Sequence, residues 1–404
     1  MFIFQRIDEM TEFDNTRNNK ISLVCTFLCI YFVLLPFDFV RIGSIGSITR
    51  ILAILPMVFS VLRIRRRLKL KREPIVKWLL FFLLLAIASY PTSIRQNISI
   101  EAIKTLFLNI AMIVIVGACH LYNEKEIRFM TYALIVGSWL SVLMVLLFGT
   151  SQYGRVTLLF GDAQQDQNYL CGFMLFAFVY HFRIFLKNWK LLHLVLAFFI
   201  ILAVILTGSR GALVAFVAAV IYCVVSMGKE KKHRFRTLII AIAGIMVITF
   251  TIYQFIMPRL DTMLYNRYSI EYILEKGTTG RVDIWKYLLE VFRESELYRQ
   301  IFGYGYGTTI LVNNMGGVMG GKVAHNLYID NLITLGILGM IATIGLHVSC
   351  IRTGTKKTTF FTSVMIGYIV MCLSVSITSY KPLWSTIIML IVFRNKNELE
   401  VEYV

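Results

Sequence analysis

The chain has 404 residues, of which 57% are hydrophobic and only 16% are charged, and its mean hydropathy is +0.71. These values exclude an ordinary soluble globular domain and indicate a protein that crosses a membrane many times. The formal net charge of +18 would suggest nucleic-acid binding in a soluble chain. In a membrane protein, basic residues gathered in cytoplasmic loops explain the same excess, so we predict membrane lipids and no nucleic acid as partners.

Twelve apolar segments follow one another along the chain, most of them close to the length that a membrane-spanning helix needs. They predict an all-α, polytopic membrane protein in which residues 1–404 form one transmembrane domain. Mostly polar residues precede the first segment and no small-residue cleavage site follows it, so we expect no cleaved signal peptide. The segments are residues 21–37, 43–62, 75–90, 103–119, 129–149, 168–186, 191–206, 211–227, 237–257, 324–348, 359–377 and 380–393.

Basic residues concentrate in every second loop, which fixes the predicted orientation. With a cytoplasmic N-terminus, nearly all Lys/Arg clusters stay inside, whereas the opposite start would carry them across the membrane. We therefore predict that both termini are cytoplasmic. Arg50, within the second segment, would cost about 3 kcal/mol at the bilayer centre, so we expect it nearer the outer third, snorkelling or facing a polar cavity. The inner loops contain "RIRRRLKLKREPIVK", "HLYNEKEIR", "HFRIFLKNWK", "GKEKKHRFR" and "IRTGTKKT".

Two outward loops are longer than simple connections, residues 150–167 and 258–323, and loops of that size usually carry function. The second contains "RVDIWKYLLEVFRESELYRQIF", in which apolar residues recur at helical spacing. We predict an amphipathic helix there, lying on the outer surface or over the bundle. The glycine-rich "GYGYG" and "GGVMGG" follow it; because no strand precedes them, they indicate turns rather than a phosphate loop.

Several chemically capable side chains are predicted on the outer side. His325 is the outward histidine among six, on the first turn of the tenth helix, where the positive helix end favours a neutral imidazole. Guanidinium groups match phosphate geometry, so arginines converging near His325 would suit a pyrophosphate-bearing substrate. Each residue alone also has an ordinary role as a cap or surface charge, and their coincidence on one face favours a site. These residues are Arg155, Arg210 and Arg281, with Asp162 and Asp166 as carboxylates that could orient a base or acceptor.

The seven cysteines lie in or at the ends of apolar segments and show no metal-ligand spacing. We therefore interpret them as buried thiols and predict neither a metal site nor a cofactor.

Four segments in a fixed order carry a resemblance to a known family: "RVTLLFGDAQQDQNYLCGFML", "LTGSRGALVAF", "GRVDIWKYLLEVF...IFGYGYGT" and "AHNLYIDNLITLGILG". Together they resemble the O-antigen polymerase and O-antigen ligase superfamily of bacterial envelope polysaccharide enzymes. The resemblance spans about residues 150–345, and its most specific pieces are SRGA and the HN-x-Y pattern with its spaced glycines. The first half matches only in hydropathy and topology.

The resemblance implies a metal-independent, inverting glycosyltransferase without cofactor, acting at the outer, periplasmic face of the bacterial inner membrane. Its donor would be an undecaprenyl-pyrophosphate-linked oligosaccharide, and its acceptor a sugar hydroxyl. Arg210 and Arg281 match the family's basic residues proposed to bind pyrophosphate, and Arg155 matches an arginine of the preceding outer loop. His325 matches the proposed catalytic histidine, with Asn326 and Asp330 as candidates to orient it or the acceptor. Flippase and chain-length regulator proteins are expected partners.

Three functions stay open at this point. A repeat-unit polymerase, which joins one lipid-linked glycan to another, is favoured because the sequences of such enzymes vary with the many different glycans that they act on. An O-antigen ligase would move the glycan to lipid A core or another acceptor. A flippase or secondary transporter would need ionisable residues in mid-membrane and paired broken helices, whereas the sequence places essentially Arg50 alone there.

Overall fold

The computed structural model describes residues 20–42, 46–62, 73–227, 234–269, 271, 280–315, 323–354, 358–376 and 380–402. All twelve predicted apolar segments coincide with helices there. The helices are α1 Leu23–Leu34, α2 Ile48–Val61, α3 Pro74–Ala88, α4 Gln96–Met112, α5 Glu124–Phe148, α6 Gln167–Asn188, α7 Leu191–Leu206, α8 Arg210–Met227, α9 Arg234–Thr251, α10 Thr262–Tyr268, α11 Arg281–Glu294, α12 Leu297–Phe302, α13 Thr309–Met315, α14 Leu327–Arg352, α15 Thr359–Met371 and α16 Lys381–Glu402.

In the part of the chain that the structure describes, strands form three short antiparallel pairs: β1 Arg41–Ile42 with β2 Gly46–Ser47, β3 Thr150–Gln152 with β4 Arg155–Thr157, and β5 Leu159–Phe160 with β6 Ala163–Gln164. The last two pairs form the loop between α5 and α6, which is predicted to face outward. The β3–β4 turn packs on α10, since a Cβ on Gly154 would lie 2.5 Å from that of Met263. This contact holds the start of β4 against the loop that follows α9.

The predicted class, an all-α membrane protein, is confirmed. Among the described residues, five helical stretches are long and apolar enough to cross a membrane, and six shorter apolar helices accompany them. The number of twelve spans and the orientation stay predictions. The five stretches are Gln96–Ala118, Glu124–Phe148, Gln167–Asn188, Leu238–Arg259 and Leu327–Arg352.

Helix α6 runs through the middle of the bundle and is buried along most of its length. Two tyrosine hydroxyls donate to its backbone, Tyr368 to the Gly172 carbonyl at 3.0 Å and Tyr380 to the Tyr169 carbonyl at 2.6 Å. A Cβ on Gly172 would lie 2.2 Å from the Tyr380 hydroxyl oxygen, so the close approach depends on glycine. These contacts fix the N-terminal end of α6, from which the candidate site is built.

The tenth predicted helix, 324–348, differs from the expectation of one straight span. Gly336 has φ 68° and ψ −164° inside α14, which breaks the helix into residues 327–335 and 337–352. Tyr328 hydrogen-bonds His347 at 3.0 Å, and Asn331 donates to Thr343 at 2.8 Å. In a straight helix these pairs would be about 28 and 18 Å apart, so the two halves fold back on each other.

The glycine turn "GYGYG", residues 303–307, fills this break. The amides of Tyr304 and Gly305 donate to the carbonyls of Ile333 and Thr334, at 2.9 and 3.0 Å. Gly303, Gly305 and Gly307 all have positive φ, and a Cβ on Gly303 would lie 2.3 Å from the Thr334 backbone. The segment is therefore a turn, as predicted, and its glycines let it satisfy carbonyls that the interrupted helix leaves open. "GGVMGG" lies outside the described residues.

The predicted amphipathic helix is two helices, α11 and α12, separated at Ser295. Ile284 and Leu288 of α11 are buried against Val312, Ala324 and Ile333, in a small core distinct from that of the bundle. Leu289, predicted on the same face, is 45% exposed. Helix α11 thus packs against Ala324, which precedes α14, and against Ile333 in the first half of α14.

Replacing Gly336 with alanine is expected to lower the free energy of unfolding by at least about 2 kcal/mol, because the left-handed backbone is strained for alanine. The added Cβ would also lie 2.2 Å from the Ile301 carbonyl oxygen. Thermal unfolding of the purified protein measures the effect. Gly161→Ala is the matched control, since Gly161 also has positive φ but nothing within 4 Å. Equal losses in the two variants would show that the turn does not support the break.

Candidate functional site

The turn "TGS", residues 207–209, joins α7 to α8 and anchors two arginines. Arg155 Nε, at the start of β4, donates to the Thr207 carbonyl at 2.9 Å. Arg267 Nε, on α10, donates to the Gly208 carbonyl at 3.2 Å. Arg210 follows as the first residue of α8. Three arginines from three separate elements therefore meet at one turn.

Gly208 makes this meeting possible. Its φ is +67°, and a Cβ there would lie 3.0 Å from Arg155 Cγ and 3.2 Å from Arg267 Nε. A Cβ on Gly211 would lie 2.2 Å from the Ser374 hydroxyl oxygen. The room that these glycines leave is thus occupied by protein side chains.

Two helix N-termini are joined at this turn, and a third begins with a side chain that interacts with them electrostatically. Asp166 caps α6 by accepting from the Asn168 and Tyr169 amides at 2.8 and 3.1 Å. The Ser209 hydroxyl donates to Asn168 Oδ1 at 2.7 Å, which ties the start of α8 to that of α6. The third is the start of α11 at Arg281. Helix N-termini carry partial positive charge and unpaired N–H groups, which favours an anion between them.

Arg281 completes the group, since its charge is coupled to Asp166, Arg210 and Arg267. Burial lowers the pKa of Arg281; Asp166 raises it, while Arg210 and Arg267 lower it further. Burial also lowers the pKa of Arg155, again opposed by Asp166. Guanidinium groups nevertheless stay protonated at neutral pH. We call Arg155, Arg210, Arg267 and Arg281 the arginine cluster; all four are half-buried and Asp166 is their coupled carboxylate.

His325 lies outside helix α14, which corrects its predicted position on the first helical turn. The helix begins at Leu327 and Asn326 is its cap, accepting from the Tyr328 and Ile329 amides at 3.0 and 3.2 Å. His325 has φ 51°, a left-handed conformation that is strained for a residue with a side chain and is concentrated at functional sites. Its side chain is half-buried.

Helix α11 links His325 to the arginine cluster. Trp285 Nε1 donates to the carbonyl of Ala324, the residue before His325, at 2.8 Å. Arg281 precedes Trp285 by one helical turn, and residues four apart on a helix have Cβ atoms about 5–6 Å apart. The histidine and the cluster therefore flank the first turns of α11.

The structure distributes the other predicted site residues differently. Asp162 is exposed in the turn between β5 and β6, and Asp166 is the carboxylate coupled to the arginines. Asn326 uses its side-chain oxygen as a helix cap, so its role there is structural. Asp330 accepts a hydrogen bond from Thr309 and faces a cavity next to α4.

This cavity has a volume of about 320 Å³ and lies between α4 and α14. Thr105 and Asn109, one turn apart on α4, line it together with Asp330 and Thr334 of α14. Arg50 donates to Thr105 Oγ1 at 3.2 Å, which agrees with its expected place beside a polar cavity. Glu101 adds a second carboxylate to the lining. Glu101 pairs with Lys104 of the same helix at 2.7 Å. We call this space the α4–α14 cavity; its lining combines hydroxyl, amide and carboxyl groups with apolar side chains.

Two members of the site carried no distinctive signal in the sequence. Arg267 lies in no motif of the sequence, and its contact with Gly208 depends on how α10 packs on the turn. Tyr268, beside it, donates to the Ile205 carbonyl at 3.0 Å, and burial raises the pKa of its hydroxyl. Among the described residues no group of His, Cys, Asp and Glu could hold a metal ion. The absence of a metal and of a cofactor stays a prediction.

The chain was compared with known proteins. Residues 194–344 match the family model described as O-antigen ligase, which covers α8, the arginine cluster apart from Arg155, and His325. No curated protein matches the chain. One solved structure, described as a "peptidoglycan synthase complex", is 12% identical, with a TM-score of 0.48 over 80% of this chain and 97% of that chain. That likeness is too distant to bear on function.

Proposed function

The chain belongs to the O-antigen polymerase and ligase superfamily, and from this premise we propose that it is a repeat-unit polymerase. It would transfer an undecaprenyl-pyrophosphate-linked glycan to a sugar hydroxyl of another lipid-linked glycan, at the outer face of the bacterial inner membrane. The observation that carries the proposal is the meeting of Arg155 and Arg267 at the turn before Arg210, with α11 linking this turn's neighbour Arg281 to the backbone beside a strained histidine.

The arginine cluster would hold the donor pyrophosphate. Four guanidinium groups coupled to one carboxylate leave an excess of positive charge that is partly buried, and their mutual repulsion is relieved when an anion binds. Planar guanidinium groups also pair bidentately with phosphate oxygens. The negative charge that develops on the leaving pyrophosphate would be stabilised at these donors, so the residues present supply electrostatic catalysis.

His325 would act as the general base. Its imidazole removes the proton from the acceptor hydroxyl while that oxygen attacks C1 of the donor sugar. The bond from C1 to the pyrophosphate oxygen breaks, and undecaprenyl pyrophosphate leaves with the electron pair. Attack from the side opposite the leaving group inverts the configuration at C1. Asn326 and Trp285 hold the backbone on either side of His325 and so position the base.

The α4–α14 cavity would hold the acceptor glycan. Its hydroxyl, amide and carboxyl groups suit hydrogen bonds with sugar hydroxyls. Asp330, in the first half of α14, follows His325 by five residues, which supports an acceptor beside the base rather than at the leaving group.

We expect Asn109→Leu to raise KM for a soluble oligosaccharide acceptor about tenfold, because a polar wall that pairs with sugar hydroxyls is lost. The KM for the lipid-linked donor should stay unchanged. Steady-state transfer to an acceptor without pyrophosphate separates the two constants. Leu108→Ala, on the exposed face of the same helix, is the control. A rise in donor KM instead would assign the cavity to the donor.

The product distribution tests the function itself. Purified protein given lipid-linked oligosaccharide should yield a ladder of longer lipid-linked products. One product on an added lipid A core would identify a ligase instead. Translocation without new linkages would identify a flippase. The break in α14 is of the kind that transporters use, but here the turn at residues 303–307 pairs with its open carbonyls.

A further inference from the structure

A second, larger cavity lies at the opposite end of the bundle from the arginine cluster. It has a volume of about 510 Å³ and is bounded by the start of α5, the end of α6, the start of α15 and part of α16. Helix α6 begins at the cluster and ends at this cavity, and its 22 residues span about 33 Å. That length matches the thickness of a bilayer, so the cavity lies near the other membrane face. We call it the basic cavity.

Positive charge dominates its lining. Arg128, Arg183, Lys187 and Lys396 face one carboxylate, Glu124. Glu124 pairs with Lys396 and lies 3.9 Å from Arg128, so it offsets only part of this charge. Among the described residues no ion pair is found for Arg183 or Lys187. Two cations of one helix face, four residues apart, thus lack an acidic counterpart in this part of the structure.

Arg183 also has a donor without an acceptor. Its Nη1 is buried and has no hydrogen-bond partner among the described residues. A buried, charged donor left unpaired is expensive, and such groups in native proteins usually meet a partner that completes them. Other parts of the Arg183 side chain line the cavity, where an anionic oxygen would pair with the guanidinium group.

The remaining walls are aromatic and aliphatic. Tyr132 and Tyr180 meet edge to face with ring centroids 6.5 Å apart, and Phe360, Phe361 and Phe393 continue the lining. Tyr132 is 54% exposed, so this side of the cavity opens between membrane helices. A soluble anion would match the cations but not these walls. A phospholipid matches both, with its phosphate on the cations and its glycerol and first methylenes on the rings.

We propose that the basic cavity binds the headgroup of an anionic phospholipid, with Arg183 and Lys187 as the phosphate ligands. The site is separate from the glycosyl transfer proposed above and does not depend on it. Phosphatidylglycerol is the simplest probe, because phosphatidylcholine has the same phosphate and acyl chains but no net charge.

The test uses the full-length protein in detergent and titrates it with phosphatidylglycerol or phosphatidylcholine, with bound lipid counted by native mass spectrometry. The wild type is expected to bind phosphatidylglycerol about tenfold more tightly than phosphatidylcholine, because both lipids offer the same phosphate but the choline ammonium brings a positive charge against the cations of the cavity. Arg183→Gln and Lys187→Gln should each remove most of this preference, and Arg183→Lys should retain part of it. Lys187 is exposed, so its substitution leaves the fold intact.

Arg352→Gln is the matched control, because it neutralises an exposed cation at the same end of the bundle outside the cavity. An equal loss in this variant would overturn the proposal in favour of general surface charge. No preference of the wild type for phosphatidylglycerol would overturn it as well. Displacement of the lipid by millimolar inorganic phosphate would assign the cavity to a soluble anion instead.

Discussion

Replacing His325 with alanine is expected to lower the rate of glycosyl transfer by about 100- to 10,000-fold, the range over which positioned general bases act. The substitution removes the only group proposed to accept the hydroxyl proton. Donor binding should persist, because the arginine cluster is untouched. The measurement is single-turnover transfer from lipid-linked oligosaccharide, with donor binding followed separately on the same variant.

The fold should survive this change, since alanine keeps the backbone contact from Trp285 to the Ala324 carbonyl. His193→Ala is the control: His193 pairs with His181 at 2.8 Å, on the α6–α7 side of the bundle far from His325. It should leave transfer near the wild-type rate. Full activity of His325→Ala would remove the base assignment, and loss of donor binding along with activity would make His325 a structural residue.

The left-handed conformation of His325 supports assigning it a function. Such a backbone costs about 1–3 kcal/mol at a residue with a side chain and persists only when the surroundings impose it. Here the Asn326 cap on one side and the Trp285 hydrogen bond on the other impose it. An asparagine or glycine would adopt the same backbone with less strain. We therefore infer that histidine occupies this position because of the chemistry of its imidazole.

The sequence was sufficient for the helices, because runs of apolar residues are local patterns. These runs predicted the twelve helical segments, and the SRGA piece drew attention to Arg210 and its turn. The break in α14 was missed because a glycine within an apolar run usually serves close packing. Only the contacts of Gly336 with Ile301, distant in sequence, distinguish a break from a packed helix.

The dependence on tertiary contacts also explains why the sequence alone did not identify Asp166 and Arg267 as members of the site. Asp162 and Asp166 are both predicted on the outer side, and the sequence does not distinguish between them. In the folded chain Asp166 caps α6, and this position brings it rather than Asp162 to the arginine cluster. Arg267 enters through a tertiary contact with the Gly208 carbonyl. Hydropathy and positive-inside arguments assign a residue to a side of the membrane but not to a neighbour on that side. Convergence is therefore visible only in the folded chain.

Replacing Arg210 or Arg281 with alanine is expected to lower transfer about 100- to 1,000-fold, the loss typical for removing one preorganised donor to a developing anion. Lysine at either position should recover activity only in part, because an ammonium cannot pair bidentately with phosphate. The double alanine variant should lose less than the product of the single losses, since both residues act on one anion. Steady-state kinetics on the four single variants and the double variant measure this.

The thermal stability of the Arg210 and Arg281 variants should not fall with their activity. The pKa of Arg281 is lowered by burial and by Arg210 and Arg267, so in the unliganded protein the cluster repels itself. Removing one guanidinium is then expected to leave the unfolding temperature unchanged or higher while activity falls. Arg293→Ala, on the exposed end of the same helix, should change neither. Inorganic pyrophosphate should raise the unfolding temperature of the wild type and do so less for either variant. A fall in stability together with activity would show instead that these arginines hold the fold, and a pyrophosphate response retained in full would place the anion elsewhere.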